Sequence, residues 1–292
     1  MGVFSRSWAL TKLSFSVISD DKELLVFPFL SAFFSVLVLG AFWLPLRLFI
    51  QEPSQINRSS VVFWGCLFVL YFILTLLSTF FSVCAVHIIK KRLDGGTEGL
   101  SESFAFAFSR MNLIIGWSLV SATVSTLLRM LESAVNSRRE NNPMGLVVGF
   151  IVSLFVVGVK VSWSIVTLFV IPAMVYKDLG PFEAIKDSTQ TIKKTWGESL
   201  VRNYGLGLIQ FFVLLFGLGI LVLLAIGLGI GAGSTMGVII MGALAVAYIV
   251  VVFAVFSMAD TVYNTALYAY AATGQIPQGF DREVLEQAFK TK

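Results

Sequence analysis

Charged and chemically reactive side chains are scarce in this chain. Only 13% of its 292 residues are charged, whereas 57% are hydrophobic, about half the charge of an ordinary soluble domain. The single histidine, His87, has no partner at a metal-ligand spacing. Cys66 and Cys84 lie about 27 Å apart along one predicted helix, too far for a disulfide. These shortages exclude a water-soluble fold and disfavour a metal centre.

Catalytic motifs are also missing. The sequence contains no nucleophile elbow, no HExxH zinc motif and no phosphate-binding loop. The longest polar stretch, residues 177–203, is too short to form a domain with its own core. We therefore expect no enzyme activity and no cofactor.

Long apolar runs are the dominant positive feature. A run of about 18 or more apolar residues can cross the bilayer as a helix. Residues 1–292 are thus predicted to form one all-α transmembrane domain with six spans. The runs cover residues 26–49, 61–87, 113–131, 146–176, 204–226 and 238–271.

Basic residues are distributed unequally between the two sides of these runs. Of the 21 Lys and Arg residues, 15 fall on the side of the termini and five on the other, with Lys160 inside a run. Such a bias predicts a multi-pass protein of the cell (inner) membrane with both termini in the cytoplasm. Anionic lipid headgroups on that side account for the net charge of +4 without a nucleic acid partner.

The segments on the cytoplasmic side show helical periodicity. In residues 182–196 apolar positions recur every three or four residues, and lysines occupy the other positions. Similar patterns occur in residues 4–18, 104–115 and 280–292. Amphipathic surface helices of this kind either bind lipid headgroups or only anchor the bundle. The candidate headgroup contacts are Lys186, Lys193, Lys194 and Trp196.

Two of these segments resemble each other. Shifting the chain by 81 residues aligns residues 99–120 with residues 180–201, and six of the 22 positions are identical. This indicates a repeated unit consisting of a surface helix followed by two spans.

The stretch IPAMVYKDLGPFEAIKDSTQTIKKTWG, residues 171–197, together with FSRSWALTKLSFSVISDDKELLVFPFLS near the start, carries a family resemblance. The chain resembles an uncharacterised family of six-span prokaryotic membrane proteins. It is more distantly similar to the membrane domain fused to some glycerophosphodiester phosphodiesterases. The resemblance implies six spans and no established activity, because the phosphodiesterase activity belongs to the fused domain.

Lys160 is the most unusual single residue, because it lies within a predicted span. A lysine there costs a few kcal/mol and usually faces a cavity or a partner. Asp260 is its acidic candidate, although the two depths match poorly, and Asn264 forms an i,i+4 pair with Asp260. The alternatives are a polar site at Lys160, Asp260 and Asn264, or a lysine that snorkels beside an interfacial polar belt.

Glycines concentrate in residues 217–242. Their spacing favours close helix packing or a turn, and a broken helix lining a transport site is the alternative. From all these features we expect a non-enzymatic component that organises the membrane or binds lipid, a protein partner or a second copy of itself. The alternative is a small-molecule or lipid transporter that uses a polar site around Lys160.

Overall fold

The computed structural model describes residues 15–19, 21–49, 61–139, 143–195, 205–227 and 235–274. Within these ranges the regular secondary structure is entirely helical, which confirms the all-α prediction. After a 3₁₀ turn, Lys22–Leu25, the helices are α1 Val26–Phe49, α2 Val61–Leu93, α3 Leu100–Ser109, α4 Met111–Arg139, α5 Pro143–Val166, α6 Val170–Lys177, α7 Pro181–Thr195, α8 Gly205–Ala225 and α9 Thr235–Thr273.

Within the residues that the structure describes, five helical stretches are long and apolar enough to cross a membrane, as in a multi-pass membrane protein. They are Lys22–Leu44, Val61–Leu93, Met111–Ala134, Ile151–Lys177 and Ile239–Thr273. A shorter apolar stretch, Ile209–Ala225, lies within α8. Several helices extend past the predicted runs because the polar residues that end a run do not end a helix. The third run, predicted to stop at residue 131, continues as α4 to Arg139.

Two compact units make up the chain. The first contains Met1–Ala32, Ile89–Thr97 and Lys194–Lys292, and the second contains Phe33–Ile88 and Glu98–Lys193. Each unit has its own pattern of burial.

In the second unit, α4 and α5 pack side by side. The rings of Trp117 and Trp163 stack between these helices at 6.1 Å, and the Thr75 hydroxyl of α2 donates to the Ser118 carbonyl oxygen at 3.3 Å. The buried residues of this unit gather at the ends of the helices nearest α3 and α7. They include Cys84, Val86, Ala107, Ile114, Phe169 and Ala184.

Away from this buried region, α1 and α5 expose apolar side chains. Phe33 and Trp43 of α1 are 59% and 57% exposed, and Phe155 of α5 is 65% exposed. Apolar side chains exposed along a span need no polar cover when the surrounding medium is lipid. These surfaces therefore suit contact with the bilayer.

In the first unit, α8 packs against α9. The Tyr248 hydroxyl of α9 donates to the Val213 carbonyl oxygen of α8 at 2.6 Å. A side chain added at Gly217 would occupy the position of the Tyr248 ring, so glycine is required there for the helices to approach. Further along, Leu24 and Tyr268 are fully buried.

The helices α3 and α7 begin in the same way. The N–H groups of Gly99 and Gly180 each donate to the carboxylate of the glutamate three residues later, Glu102 and Glu183, at 3.1 Å in both cases. This arrangement satisfies a donor that a helix start otherwise leaves without a partner. The two surface segments therefore share one local structure.

Candidate functional site

A break in the fourth apolar run determines where α7 lies. Pro172 has no N–H and its ring clashes with the carbonyl four residues earlier, and residues 167–169 between α5 and α6 are not helical. The Phe169 N–H, which is buried, donates to the Ser188 hydroxyl oxygen of α7 at 3.2 Å. The helix is thus interrupted just before Pro172, and the group that satisfies the broken backbone comes from the following surface helix.

Ion pairs fix both sides of the turn before α7. Asp178 has the left-handed backbone conformation, with φ of 58°, and its carboxylate pairs with Arg110. The Lys177 ammonium contacts the Asp187 carboxylate at 2.6 Å. The turn and the first half of α7 are thus held by charge pairs as well as by the Ser188 hydrogen bond.

The outward face of α7 combines an aromatic side chain with lysines. Phe182 is 74% exposed, and Lys186 and Lys193 are exposed as well. Positions four and eleven residues after Phe182 fall on the same side of a helix. The opposite, buried stripe consists of Ala184, Ser188 and Ile192.

This arrangement differs from the sequence pattern, which grouped Phe182 with Ile192 on one apolar face. Small residues, and not the large apolar ones, form most of the buried stripe because they allow α7 to approach the neighbouring backbone closely. Of the other two predicted headgroup contacts, Trp196 and the side chain of Lys194 lie outside the described residues.

Lys160 is part of a charged cluster on the exposed side of the α4–α5 pair. Its ammonium contacts the Glu132 carboxylate, and Arg129 reaches the second oxygen of the same carboxylate at 3.2 Å. Glu132 is the most buried of the three side chains, at 27% exposed, against 46% for Lys160 and 61% for Arg129. The cluster carries two positive charges and one negative charge.

The geometry explains why Glu132 reaches Lys160. Helical side chains lean towards the N-terminus of their own helix. Since α4 and α5 pack side by side, the long Lys160 side chain can reach Glu132. Sequence reasoning missed Glu132 because the third apolar run was taken to end at residue 131.

Asp260 and Asn264 lie on α9, in the first unit. Asp260 is exposed and Asn264 is half-buried. Asp260 is 25 residues from the start of the 39-residue helix, about 38 Å along its axis, whereas the hydrocarbon core is about 30 Å thick. Asp260 and Asn264 therefore lie near one end of the span, where an interfacial polar belt is expected.

His87 is buried near the end of α2. Its Nε2 lies 2.6 Å from the Glu98 carboxylate, and its ring stacks on Phe106 at 3.9 Å. Phe106 in turn lies 5.5 Å from the Arg110 guanidinium. This chain of contacts joins α2, α3 and the turn before α7. Within the described ranges, no three His, Cys, Asp or Glu residues are placed to hold a metal ion.

The apolar helices and the charged clusters at their ends define the class of this molecule, an all-helical multi-pass membrane protein. The model of a family of unknown function, DUF6159, matches residues 61–279, and the chain therefore belongs to that family. No curated protein and no solved structure matches the chain. The distant similarity to the domain fused to glycerophosphodiester phosphodiesterases stays a prediction.

Proposed function

We propose that this protein is a non-enzymatic component of the cell membrane that binds anionic lipid headgroups through α7. The observation that carries the proposal is the face formed by Phe182, Lys186 and Lys193, which is exposed while the opposite side of α7 is buried. An aromatic ring and two ammonium groups on one face match the boundary between acyl chains and phosphates.

The way α7 is held supports this function. A loop that carries lysines loses conformational entropy when it binds a headgroup. Here the helix is already fixed by the Ser188 contact to Phe169 and by the pair of Lys177 with Asp187. A preorganised face binds more tightly because less conformational entropy is lost on binding.

The proposal includes six spans with both termini in the cytoplasm. The helix α8, Gly205–Ala225, has 21 residues without a charge and is about 32 Å long, enough for the hydrocarbon core. The excess of basic residues on the side of α7 supports the orientation. The equal glycine–glutamate caps of α3 and α7 support the predicted duplication of a surface helix and two spans.

The test measures which lipids the full chain keeps. Wild type and a Lys186→Gln/Lys193→Gln variant are placed in nanodiscs of phosphatidylethanolamine with a minority of phosphatidylglycerol, and bound lipids are identified by native mass spectrometry. Each lysine near an anionic surface contributes about 1 kcal/mol, or about fivefold in binding. We expect the preference for phosphatidylglycerol to fall by that factor for each lysine and to weaken with added salt.

Lys22→Gln is the matched control, because Lys22 is an exposed lysine outside α7. It should change the lipid preference less than Lys186→Gln does. An unchanged preference in the double variant would contradict the proposal. An equal loss with Lys22→Gln would show a general charge effect and would contradict a specific role of α7.

The second candidate is a transporter with a polar site around Lys160. It is favoured by the cluster of Arg129, Glu132 and Lys160 on otherwise apolar helices, since charges within spans often mark solute pathways. The variant Lys160→Met separates the two functions. It should abolish transport or any solute-dependent thermal shift if the cluster is the site, and it should leave headgroup preference at α7 intact.

A further inference from the structure

An apolar crevice separates α1 from α2 within the second unit. Its volume is about 590 Å³, within the range of about 300–1,000 Å³ that ligand sites occupy. On α1 it is lined by Val36, Gly40 and Trp43, and on α2 by Phe63, Cys66 and Leu70. These positions are spaced by three or four residues, so each helix contributes a single face.

The crevice exists because the two helices meet at one level and separate beyond it. The rings of Phe34 and Phe81 stack at 6.0 Å and mark the contact. Nothing lies within 4 Å of a side chain built at Gly40, so the helices do not close on each other there. A gap of this size between two helices loses dispersion contacts unless a molecule fills it.

We propose that this crevice binds one acyl chain of a membrane glycerophospholipid. Apart from the Cys66 thiol and the Trp43 indole N–H, the side chains that line it are hydrocarbon, so they offer no site for a charged or sugar-like solute and few hydrogen bonds to water. The lining extends about 10 Å along each helix, from Val36 to Trp43 and from Phe63 to Leu70, which accommodates part of one chain.

The position in the molecule supports a lipid as the occupant. The same helices expose apolar side chains outside the crevice, Leu37 at 52% and Val61 at 86%, so the medium around the opening is acyl chain. The inference depends on α1 and α2 crossing the bilayer. It does not depend on headgroup binding by α7, which lies elsewhere in the unit.

The experiment compares two glycine substitutions. Gly40→Leu extends a side chain into the crevice, and Gly65→Leu adds the same side chain on the opposite face of α2; nothing lies within 4 Å of the added Cβ at either position. The full-length protein is purified through a delipidating detergent, and phospholipid retained per protein is measured by native mass spectrometry. We expect wild type and Gly65→Leu to retain one phospholipid and Gly40→Leu to lose it.

A phosphatidylcholine with a photoactivatable diazirine in one acyl chain then locates the bound lipid. Crosslinks on α2 should concentrate at Cys66 and Leu70 and not at Val61 and Phe68 on the other face, and Gly40→Leu should remove that excess. Equal labelling of both faces, or equal retention in all three proteins, would overturn the proposal. So would an adduct with the mass of a free fatty acid, or a second copy of the chain crosslinked through the crevice.

The variant Lys186→Gln/Lys193→Gln separates this inference from the headgroup function. It should keep the retained phospholipid and the crosslink pattern of wild type even where its preference for anionic lipid is lost. Conversely, Gly40→Leu should lose the phospholipid bound in the crevice and keep the preference of the protein for anionic lipid.

Discussion

The Ser188 hydroxyl of α7 accepts a 3.2 Å hydrogen bond from the Phe169 N–H, in the break between α5 and α6. In an unbroken helix this N–H would bond to a carbonyl four residues earlier. Here the neighbouring N–H of Leu168 takes the Ile165 carbonyl instead. One side chain thus joins the interruption of a span to the helix that presents Phe182, Lys186 and Lys193.

Replacing Ser188 tests this connection. Ser188→Ala leaves the buried Phe169 N–H without its acceptor, which should lower the free energy of unfolding by about 1–3 kcal/mol. The control is Thr123→Ala, since Thr123 is an exposed residue of α4 whose hydroxyl bonds only its own helix, and its effect should stay within about 0.5 kcal/mol. Detergent-denaturation curves of the two variants provide the measurement. Equal stability of both variants would show that the Ser188 contact does not hold α7.

The sequence predicted the helices well for a simple physical reason. A helix in lipid must satisfy its own backbone groups and be long enough to cross the core, so apolar runs locate α1, α2 and α9 directly. The break near Pro172 can also be predicted from the sequence alone, because proline removes a backbone donor and adds a steric clash.

The charged cluster and the face of α7 were less predictable. A hydrophobicity pattern predicts that Phe182 is buried, but α7 buries Ala184 and Ser188 instead. The small size of these two side chains, more than their polarity, determines which face of α7 is buried. The partner of Lys160 is Glu132, which belongs to a different helix and lies 28 residues away in sequence. Such a pairing depends on the direction of two side chains and cannot be obtained from the position of either residue along its own run.

The glycine-rich region contains one position where packing requires glycine. Gly217→Ala places a methyl group where the Tyr248 ring lies, so the ring must turn away and lose its hydrogen bond to the Val213 carbonyl. We expect a loss of about 1–3 kcal/mol in stability. Gly219→Ala has open space and should be neutral or stabilising by up to about 1 kcal/mol.

Thermal denaturation of the two alanine variants in one detergent distinguishes these effects. The double variant Gly217→Ala/Tyr248→Ala should be no less stable than Tyr248→Ala alone, because the obstacle is the ring. Equal midpoints for Gly217→Ala and Gly219→Ala would show that the close approach of α8 and α9 contributes nothing.

The proposed orientation can be tested with single cysteines in a background that lacks Cys66 and Cys84. Cysteines replacing Ser54 and Asn142 should react with a membrane-impermeant maleimide on intact cells. Both positions lie between two predicted runs, on the side of the membrane away from the predicted cytoplasmic termini. A cysteine replacing Lys193, which is exposed on α7, should react only after the membrane is permeabilised. Labelling of the Lys193 position in intact cells would reverse the topology and remove the basis for inner-leaflet headgroup binding.

The cluster of Arg129, Glu132 and Lys160 predicts an asymmetry between its members. Lys160→Met leaves Glu132 with Arg129 as partner at 3.2 Å, so stability should hold or rise. Glu132→Gln leaves two cations together without their counter-ion and should cost about 2 kcal/mol. Insertion scales give about 2.5–3.5 kcal/mol for a charge at the centre of a span, and the partial exposure of these side chains reduces that value.

The double variant Lys160→Met/Glu132→Gln measures the interaction energy between Lys160 and Glu132. Since the two residues contact each other, the effects should not add, and Lys160→Met/Glu132→Gln should be more stable than Glu132→Gln alone by most of that loss. Unfolding free energies of the four proteins in one detergent complete the cycle. If the stability changes of the two single variants add exactly, Lys160 and Glu132 do not interact. The cluster would then no longer be a candidate site.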